Sequence, residues 1–129
     1  SVVRTMSELE QELVDIIDAN TDVANELRYT NGARARALVF DPESKTLKLH
    51  DLNDGSDLKT ASYDQAIFWS IADNVTDFSA EIEGTEPVSD PKILTLQITF
   101  EVSKVNVNGF RKPAAEQREL RVKLMSLPD

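Results

Sequence analysis

An apolar stripe at helical spacing near the N-terminus constrains this chain more than any other feature. Apolar residues recur every three or four positions, and neither Pro nor Gly interrupts the run before Gly32. Such spacing is typical of a helix with one buried face. The stripe comprises Val3, Met6, Leu9, Leu13, Ile16, Val23 and Leu27, and the polar Asn20 occupies the position on it between Ile16 and Val23. It predicts one long helix over residues 6–29, about 36 Å in length at 1.5 Å per residue, inside a helical region 1–31.

The rest of the chain alternates apolar and polar residues, as half-buried strands do. The predicted strands are residues 37–40, 46–50, 78–82, 94–102 and 120–124. Residues 64–73 are predicted as either a short helix or an irregular buried segment. A change of phase after Val102 predicts a bulge near Ser103-Lys104, and residues 111–117 are predicted as a connection. Consecutive strands joined by turns predict an antiparallel sheet with one solvated face.

These elements predict an α+β fold in which the long N-terminal helix packs on the antiparallel β-sheet. A length of 129 residues fits one domain, 1–129, with the helix in 1–31 and a β-rich part in 35–129. The helix has the only long apolar stripe that could cover the sheet. The helix–sheet packing residues are therefore predicted to be Met6, Leu9, Leu13, Ile16, Val23 and Leu27.

The charge of the chain is strongly acidic and unevenly distributed. A net charge of −9 argues against nucleic acid as a partner and against binding to an anionic membrane surface. Residues 1–34 hold seven acidic and three basic side chains, whereas the stretch from Arg111 to Lys123 is net positive. The acidic outer side of the helix (Glu8, Glu12 and Asp15) could therefore meet a basic patch containing Arg111 and Lys112 on a neighbouring subunit. Such head-to-tail contacts build filaments when they do not close.

Motifs for chemistry are sparse, and we predict that the chain is not an enzyme and holds no cofactor. The chain has no cysteine and a single histidine, His50, which rules out thiol nucleophiles and His or Cys metal clusters. The acidic loop around Asp51, Asp54 and Asp57 is a calcium candidate, although its spacing is not that of an EF-hand. A solvated turn is the simpler interpretation of this loop.

Four segments carry a resemblance to a known family. They are the helix 6–29 entering a strand at 35–40, the hairpin of Leu38-Val39-Phe40-Asp41 with Thr46-Leu47-Lys48-Leu49, the phrase Ile71-Ala72-Asp73-Asn74-Val75-Thr76-Asp77-Phe78-Ser79, and the paired strands 93–102 and 118–127. In these segments the chain resembles the soluble part of minor type IV pilins and of the J-type minor pseudopilins of type II secretion. The disulfide loop of many major pilins has no counterpart here.

The resemblance implies a structural subunit of a type IV pilus or secretion pseudopilus, acting in a tip or initiation complex. Its partners would be other pilin or pseudopilin subunits, in the bacterial inner membrane and periplasm or in a cell-surface filament. The acidic face of the helix and the loops at residues 51–62 and 103–117 would make the contacts with these neighbours. The family carries an apolar anchoring segment of about twenty residues, which we expect upstream of Ser1. The main alternative is an extracytoplasmic ligand-binding or adhesion module that uses the region of Trp69 or the acidic loop. A phage or virion structural domain is a further alternative.

Overall fold

A computed structural model describes residues 1–84 and 92–124, without the side chains of residues 66 and 67. The chain contains one helix and eight strands in the described residues. These are α1 (Val2–Leu13), β1 (Asp18–Asn20), β2 (Glu26–Thr30), β3 (Ala35–Asp41), β4 (Thr46–Leu52), β5 (Tyr63–Ala72), β6 (Val75–Glu83), β7 (Ile93–Val105) and β8 (Arg111–Lys123). Residues 85–91 and 125–129, which fall in the predicted β-rich part, lie outside the described residues.

The strands form two antiparallel sheets. Sheet A has the order β1-β2-β3-β4-β5, and sheet B has the order β6-β7-β8. The predicted fold, a long helix packed on a single sheet, is therefore wrong: the molecule is mainly β, with one short helix. Residues 64–72 form most of β5, so the prediction of a helix or irregular segment over residues 64–73 is also wrong.

The helix α1 ends at Leu13, and the long helix predicted over residues 6–29 is wrong. Two side chains in the next segment bond to nearby backbone: Asp18 Oδ1 accepts from Ala19 N at 2.9 Å, and Asn20 Oδ1 accepts from Asp22 N at 2.9 Å. Such local bonds compete with helical hydrogen bonding. Asn25 then adopts a left-handed backbone, with φ of 62°, and the chain reverses into β2.

The predicted packing residues separate into helical and non-helical groups. Leu9, Leu13, Ile16 and Leu27 are all buried in the main core, and Met6 packs partly buried against it. Met6, Leu9 and Leu13 belong to α1. Ile16 lies after the end of the helix, and Leu27 reaches the core from β2. Val23 lies in the turn before β2 and is partly exposed, so its match to the helical spacing is coincidental.

The main core is shared by α1 and the inner faces of both sheets. From sheet A it includes Leu38 and Phe40, and from sheet B it includes Leu96 and Phe78. The rings of Phe40 and Phe78 lie 6.3 Å apart and link the two sheets. Burying each such side chain contributes about 1.5–3 kcal/mol, so the shared core holds the helix and both sheets together.

The predicted strands at 37–40, 46–50, 78–82 and 94–102 are confirmed, and each lies inside a longer strand. The final strand is confirmed up to Lys123. The bulge near Ser103-Lys104 is wrong, because the register of β7 and β8 is unbroken from Ile93 opposite Lys123 to Val105 opposite Arg111. Residues 111–117 accordingly belong to β8 and do not form a connection.

Candidate functional site

The β7–β8 hairpin extends beyond the rest of sheet B. The edge strand β6 pairs with β7 only as far as Phe100, which lies opposite Val75. Past this point, the pairs from Glu101 opposite Ala115 to Val105 opposite Arg111 join β7 and β8 alone. We call residues 103–113 the hairpin tip. This part of the hairpin has no third strand beside it in the described residues.

A compact turn closes the hairpin tip. The side-chain oxygen of Asn106 accepts hydrogen bonds from the backbone N–H groups of Asn108 and Phe110, at 2.9 and 3.0 Å. Gly109 has a φ of 82°, a conformation that glycine adopts without a steric cost. The sequence Asn108-Gly109 is typical of such a turn, and the turn presents its neighbouring side chains outward.

Three large apolar side chains are exposed on the hairpin tip. Val105 is 59% exposed, Val107 is 101% exposed and Phe110 is 69% exposed. Scattered exposed apolar residues are common on protein surfaces, but a group of them marks an interaction site more often than a single one does. All three lie in the segment 103–117 that was expected to contribute neighbour contacts, although the contact residues named there were only Arg111 and Lys112.

The hairpin tip is also basic, in a chain of net charge −9. It holds Lys104, Arg111 and Lys112 and no acidic residue. Lys104 and Lys112 lie directly opposite each other in the β7–β8 register. Like charges in that position destabilise a strand pair, by up to about 1 kcal/mol. Among the described residues, none of the three cations takes part in an ion pair.

The predicted subunit-contact residues fall into three places. Arg111 and Lys112 lie on the hairpin tip, and Glu8 and Asp15 are exposed on α1 and just after it. Glu8 forms an exposed ion pair with Arg4 at 3.6 Å. Glu12 instead turns inward, with only 15% of its side chain exposed, so it is occupied within the subunit.

Glu12 joins the end of α1 to sheet A. Its Oε1 accepts from Tyr29 Oη at 2.8 Å and from Arg36 Nη1 at 2.6 Å, and Arg36 Nε donates to Asp51 Oδ1 at 2.9 Å. Burial, together with the nearby Glu12 carboxylate, raises the pKa of Tyr29 far above its usual value. Burial opposes the charge of Arg36, but its bonds to Glu12 and Asp51 raise its pKa. The Arg36 guanidinium also lies 4.6 Å from the centre of the Trp69 ring.

The carboxylates of the acidic loop, which were the predicted calcium ligands, have separate partners and do not converge on one site. Asp51 bonds to Arg36, whereas Asp54 accepts from Ser56 N at 2.8 Å and from Ser56 Oγ at 2.9 Å. These bonds lower the pKa of Asp54. Asp57 contributes its backbone carbonyl, which accepts from Ala61 N. Within residues 1–84 and 92–124, no group of three or more His, Cys, Asp or Glu side chains could hold a metal ion.

The same loop covers the outer face of sheet A. Leu58 is buried there against Ala35, Ala37 and Leu52. The Arg28 guanidinium fixes the loop to β2, since Nη1 donates to the carbonyl oxygens of Leu58 at 3.0 Å and Ala61 at 2.6 Å. The loop is therefore a packed structural element.

A row of rings runs along the outer face of sheet A. His50 lies between Tyr63 and Phe68, with ring centres 4.8 and 5.6 Å away. Burial, followed by the charge of Lys48, lowers the pKa of His50, while Glu26 opposes that shift. Tyr63 donates a hydrogen bond to Glu26, and its pKa is raised to about 12, mainly by burial. The described surroundings of the only histidine are thus mainly aromatic.

An open cleft of about 560 Å³ lies where α1 begins. Its walls come from Arg4 and Thr5 of α1, from Asp73 after β5, and from Glu101 and Ser103 of β7. Its volume is in the range of small-molecule sites, but such sites are mainly apolar and this lining is rich in polar residues.

No helix among the described residues is long and apolar enough to cross a membrane. Comparison with known protein-family models, with curated proteins and with solved structures found no match to this chain.

Proposed function

We propose that this chain is a non-catalytic structural subunit that acts by packing against neighbouring subunits, with the hairpin tip as one contact surface. The observation that carries the proposal is the exposure of Val105, Val107 and Phe110 on a two-stranded extension. A two-stranded hairpin is at best marginally stable alone in water, and covering its apolar side chains would stabilise it.

The chemistry of the hairpin tip favours an acidic partner surface. Three cations without ion-pair partners among the described residues surround the apolar side chains, and two of them repel each other across the strands. This chain has such an acidic surface on α1 and the segment after it. Its exposed members are Glu8, Glu10, Asp15 and Asp18. A contact between the hairpin tip of one copy and this acidic surface of the next joins two different patches, and repeated contacts of that kind build open filaments.

Sedimentation velocity over a range of protein concentrations, in low and high salt, tests this contact. Wild-type chain is expected to self-associate in low salt and to dissociate as salt is added, because exposed charges are screened. The double variant Lys104→Glu/Lys112→Glu should weaken the low-salt association at least about tenfold, since opposite charges become like charges.

A matched control uses two exposed lysines at the other end of the same hairpin. Lys92→Glu/Lys123→Glu changes the net charge equally but leaves the hairpin tip intact. This variant should keep the salt-dependent association within about a factor of three of wild type, as expected for charges outside the contact. Equal losses in the two double variants, or no salt-dependent association of the wild type, would reject the hairpin tip as a subunit contact.

The pilus or pseudopilus assignment, with its membrane anchor and its periplasmic or surface location, stays a prediction. Its support is reduced to the β3–β4 hairpin, the phrase over residues 71–79 and the paired strands, since the long helix is wrong. Sequencing the gene upstream of the Ser1 codon tests it. A cleavable leader followed by about twenty apolar residues would support the assignment, and a different upstream sequence would reject it.

The alternative, an extracytoplasmic ligand-binding or adhesion module, also stays a prediction. The open cleft beside α1 is the feature that bears on it, whereas the acidic loop and Trp69 are occupied by the packing contacts described above.

A further inference from the structure

Two asparagines of this chain are followed directly by glycine, the arrangement in which an asparagine side chain is most readily converted to a carboxylate. The backbone nitrogen of the next residue attacks the side-chain amide, and glycine hinders that attack least because it has no side chain. Asparagine is for such reasons a thermally labile residue that heat-tolerant proteins use sparingly. The two pairs are Asn31-Gly32 and Asn108-Gly109.

The first pair is held in a closed turn between β2 and β3. Asn31 Oδ1 accepts hydrogen bonds from Ala33 N and Arg34 N, both at 2.9 Å. The nitrogen that would attack, Gly32 N, donates to Thr30 Oγ1 at 3.1 Å. Both β2 and β3 are inner strands of sheet A, each with a neighbour on either side. The two reacting groups are therefore fixed apart, in a part of the molecule that opens rarely.

The second pair lies in the turn of the hairpin tip and has a free side chain. Asn108 is exposed, and its side chain makes no hydrogen bond within the described part of the chain. Gly109 N donates to the carbonyl oxygen of Asn106 at 3.0 Å, so the reaction requires this turn bond to break. A two-stranded hairpin is only marginally stable, and the tip therefore opens at little cost.

We propose that Asn108 is a site of spontaneous deamidation that changes the charge of the hairpin tip. The Gly109 nitrogen loses its proton to solvent and attacks Asn108 Cγ, which forms a new C–N bond and closes a succinimide ring. The bond from Cγ to Nδ2 breaks, and ammonia leaves. Water then opens the ring at either carbonyl and gives aspartate or isoaspartate. Water is the only co-reactant that this sequence of steps requires.

The products place a carboxylate on a surface that holds three cations and no acidic residue. Isoaspartate also adds a main-chain carbon inside the turn that Asn106 holds. Both changes oppose binding of the hairpin tip to the acidic surface of another copy, and this consequence rests on the proposed function. The reaction itself does not depend on it. A chain whose hairpin tip is covered would be protected, so the modification marks chains that have stayed unassembled.

Peptide mapping of the full chain tests the site. The folded protein is incubated at mildly alkaline pH, in high salt so that the hairpin-tip contact is suppressed, and is then digested with trypsin at mildly acidic pH. Trypsin releases residues 29–34 and 105–111, each with one Asn-Gly pair, and tandem mass spectrometry locates the conversion of amide to acid. Asn108 is expected to convert at least about tenfold faster than Asn31.

The same incubation in concentrated urea separates the effect of the fold from that of the sequence. In the unfolded chain both pairs are free, so Asn31 and Asn108 should convert at similar rates. Equal rates in the folded chain would overturn the proposal, as would an Asn108 that converts only after unfolding. A preference of the same size in urea would trace the selectivity to the neighbouring sequence and overturn the structural argument.

The variant Asn108→Asp carries one product permanently and tests the consequence. In low salt it should weaken the self-association measured by sedimentation velocity about two- to fivefold, as expected for one exposed charge. Gln97→Glu is the matched control, because it makes the same change of amide to acid in the three-stranded part of sheet B. It should leave the association close to that of the wild type.

The outcomes for the site and for the contact can be told apart. Equal weakening by Asn108→Asp and Gln97→Glu would overturn the proposed effect on the hairpin tip. A wild type that does not associate in low salt would reject the contact itself, whereas selective conversion of Asn108 in the folded chain would still establish the modification site.

Discussion

At the scale of single residues, Glu12 fixes the last turn of α1 to sheet A. Its carboxylate accepts from Tyr29 of β2 and from Arg36 of β3, and Arg36 in turn binds Asp51 of β4. Bonds to a charged acceptor are stronger than neutral ones, and the carboxylate is largely shielded from water. Glu12 thus connects the helix directly to two strands and, through Arg36, to a third.

The variant Glu12→Ala is expected to lower the free energy of unfolding by about 2–3 kcal/mol, because Tyr29 loses its acceptor and Arg36 loses one carboxylate. Glu10→Ala, an exposed residue of the same helix, should change it by less than about 0.5 kcal/mol. Urea unfolding followed by the fluorescence of Trp69 measures both. Similar effects of the two substitutions would mean that Glu12 has no special role.

His50 makes stability depend on pH near neutrality. Its pKa in the folded state lies below the ordinary value of 6.5, so the unfolded chain binds more protons as the pH falls through that region. The stabilising contribution is therefore complete above about pH 6.5 and is lost as the pH falls toward the folded-state pKa. Lys48 and Glu26 are the charged groups acting on it.

Urea midpoints between pH 7.5 and 5.5 should therefore decrease in the wild type and decrease less in His50→Gln. Asp41 and Asp54 also have lowered pKa values, but their ordinary value of 3.8 places their effect below this window. Parallel pH profiles for the wild type and His50→Gln would show that another group causes the decrease.

At the scale of elements, turn chemistry decides where α1 ends. Helical spacing continues past Leu13 through Ile16, Val23 and Leu27, so periodicity alone predicts a helix. The side chains of Asp18 and Asn20 accept hydrogen bonds from the backbone N–H groups of Ala19 and Asp22, and the left-handed residue Asn25 follows them. These local preferences act together with the pairing of β1 and β2, a long-range contact that no spacing rule could reveal.

Substitutions at Asn25 distinguish the turn from a continuous helix. Asn25 has a φ of 62°, a conformation that glycine adopts without steric cost and alanine does not. Asn25→Gly should therefore leave the free energy of unfolding unchanged or raise it, whereas Asn25→Ala should lower it by about 1–2 kcal/mol. A helix through this position would reverse the order, with Ala better than Gly by about 1 kcal/mol. Chemical denaturation of the two variants gives the order directly.

The strands were more predictable than the helix. The alternation of Leu94, Leu96, Ile98 and Phe100 predicts a strand with one buried face, and all four side chains are buried. The extension of β7 and β8 into the hairpin tip was not predictable in this way, because its side chains alternate between two exposed faces. No apolar periodicity marks a strand pair that has no core beneath it.

At the scale of the whole molecule, the positions of the charges could be read from the sequence but their partners could not. Arg111 and Lys112 were predicted as subunit-contact residues, and both lie on an exposed surface. Glu12 was also predicted as a subunit-contact residue, but its carboxylate accepts a hydrogen bond from Arg36 within the same chain. The division into two sheets also depends on long-range packing, since consecutive strands β5 and β6 do not pair in the described structure.

Amide hydrogen exchange, compared at low and high protein concentration in low salt, tests the central claim that the molecule works by packing its hairpin tip on the acidic surface of a neighbour. Slower exchange at high concentration is expected in residues 103–113 and in residues 8–18, the two sides of the contact. Exchange in both segments that does not change with concentration would contradict the claim.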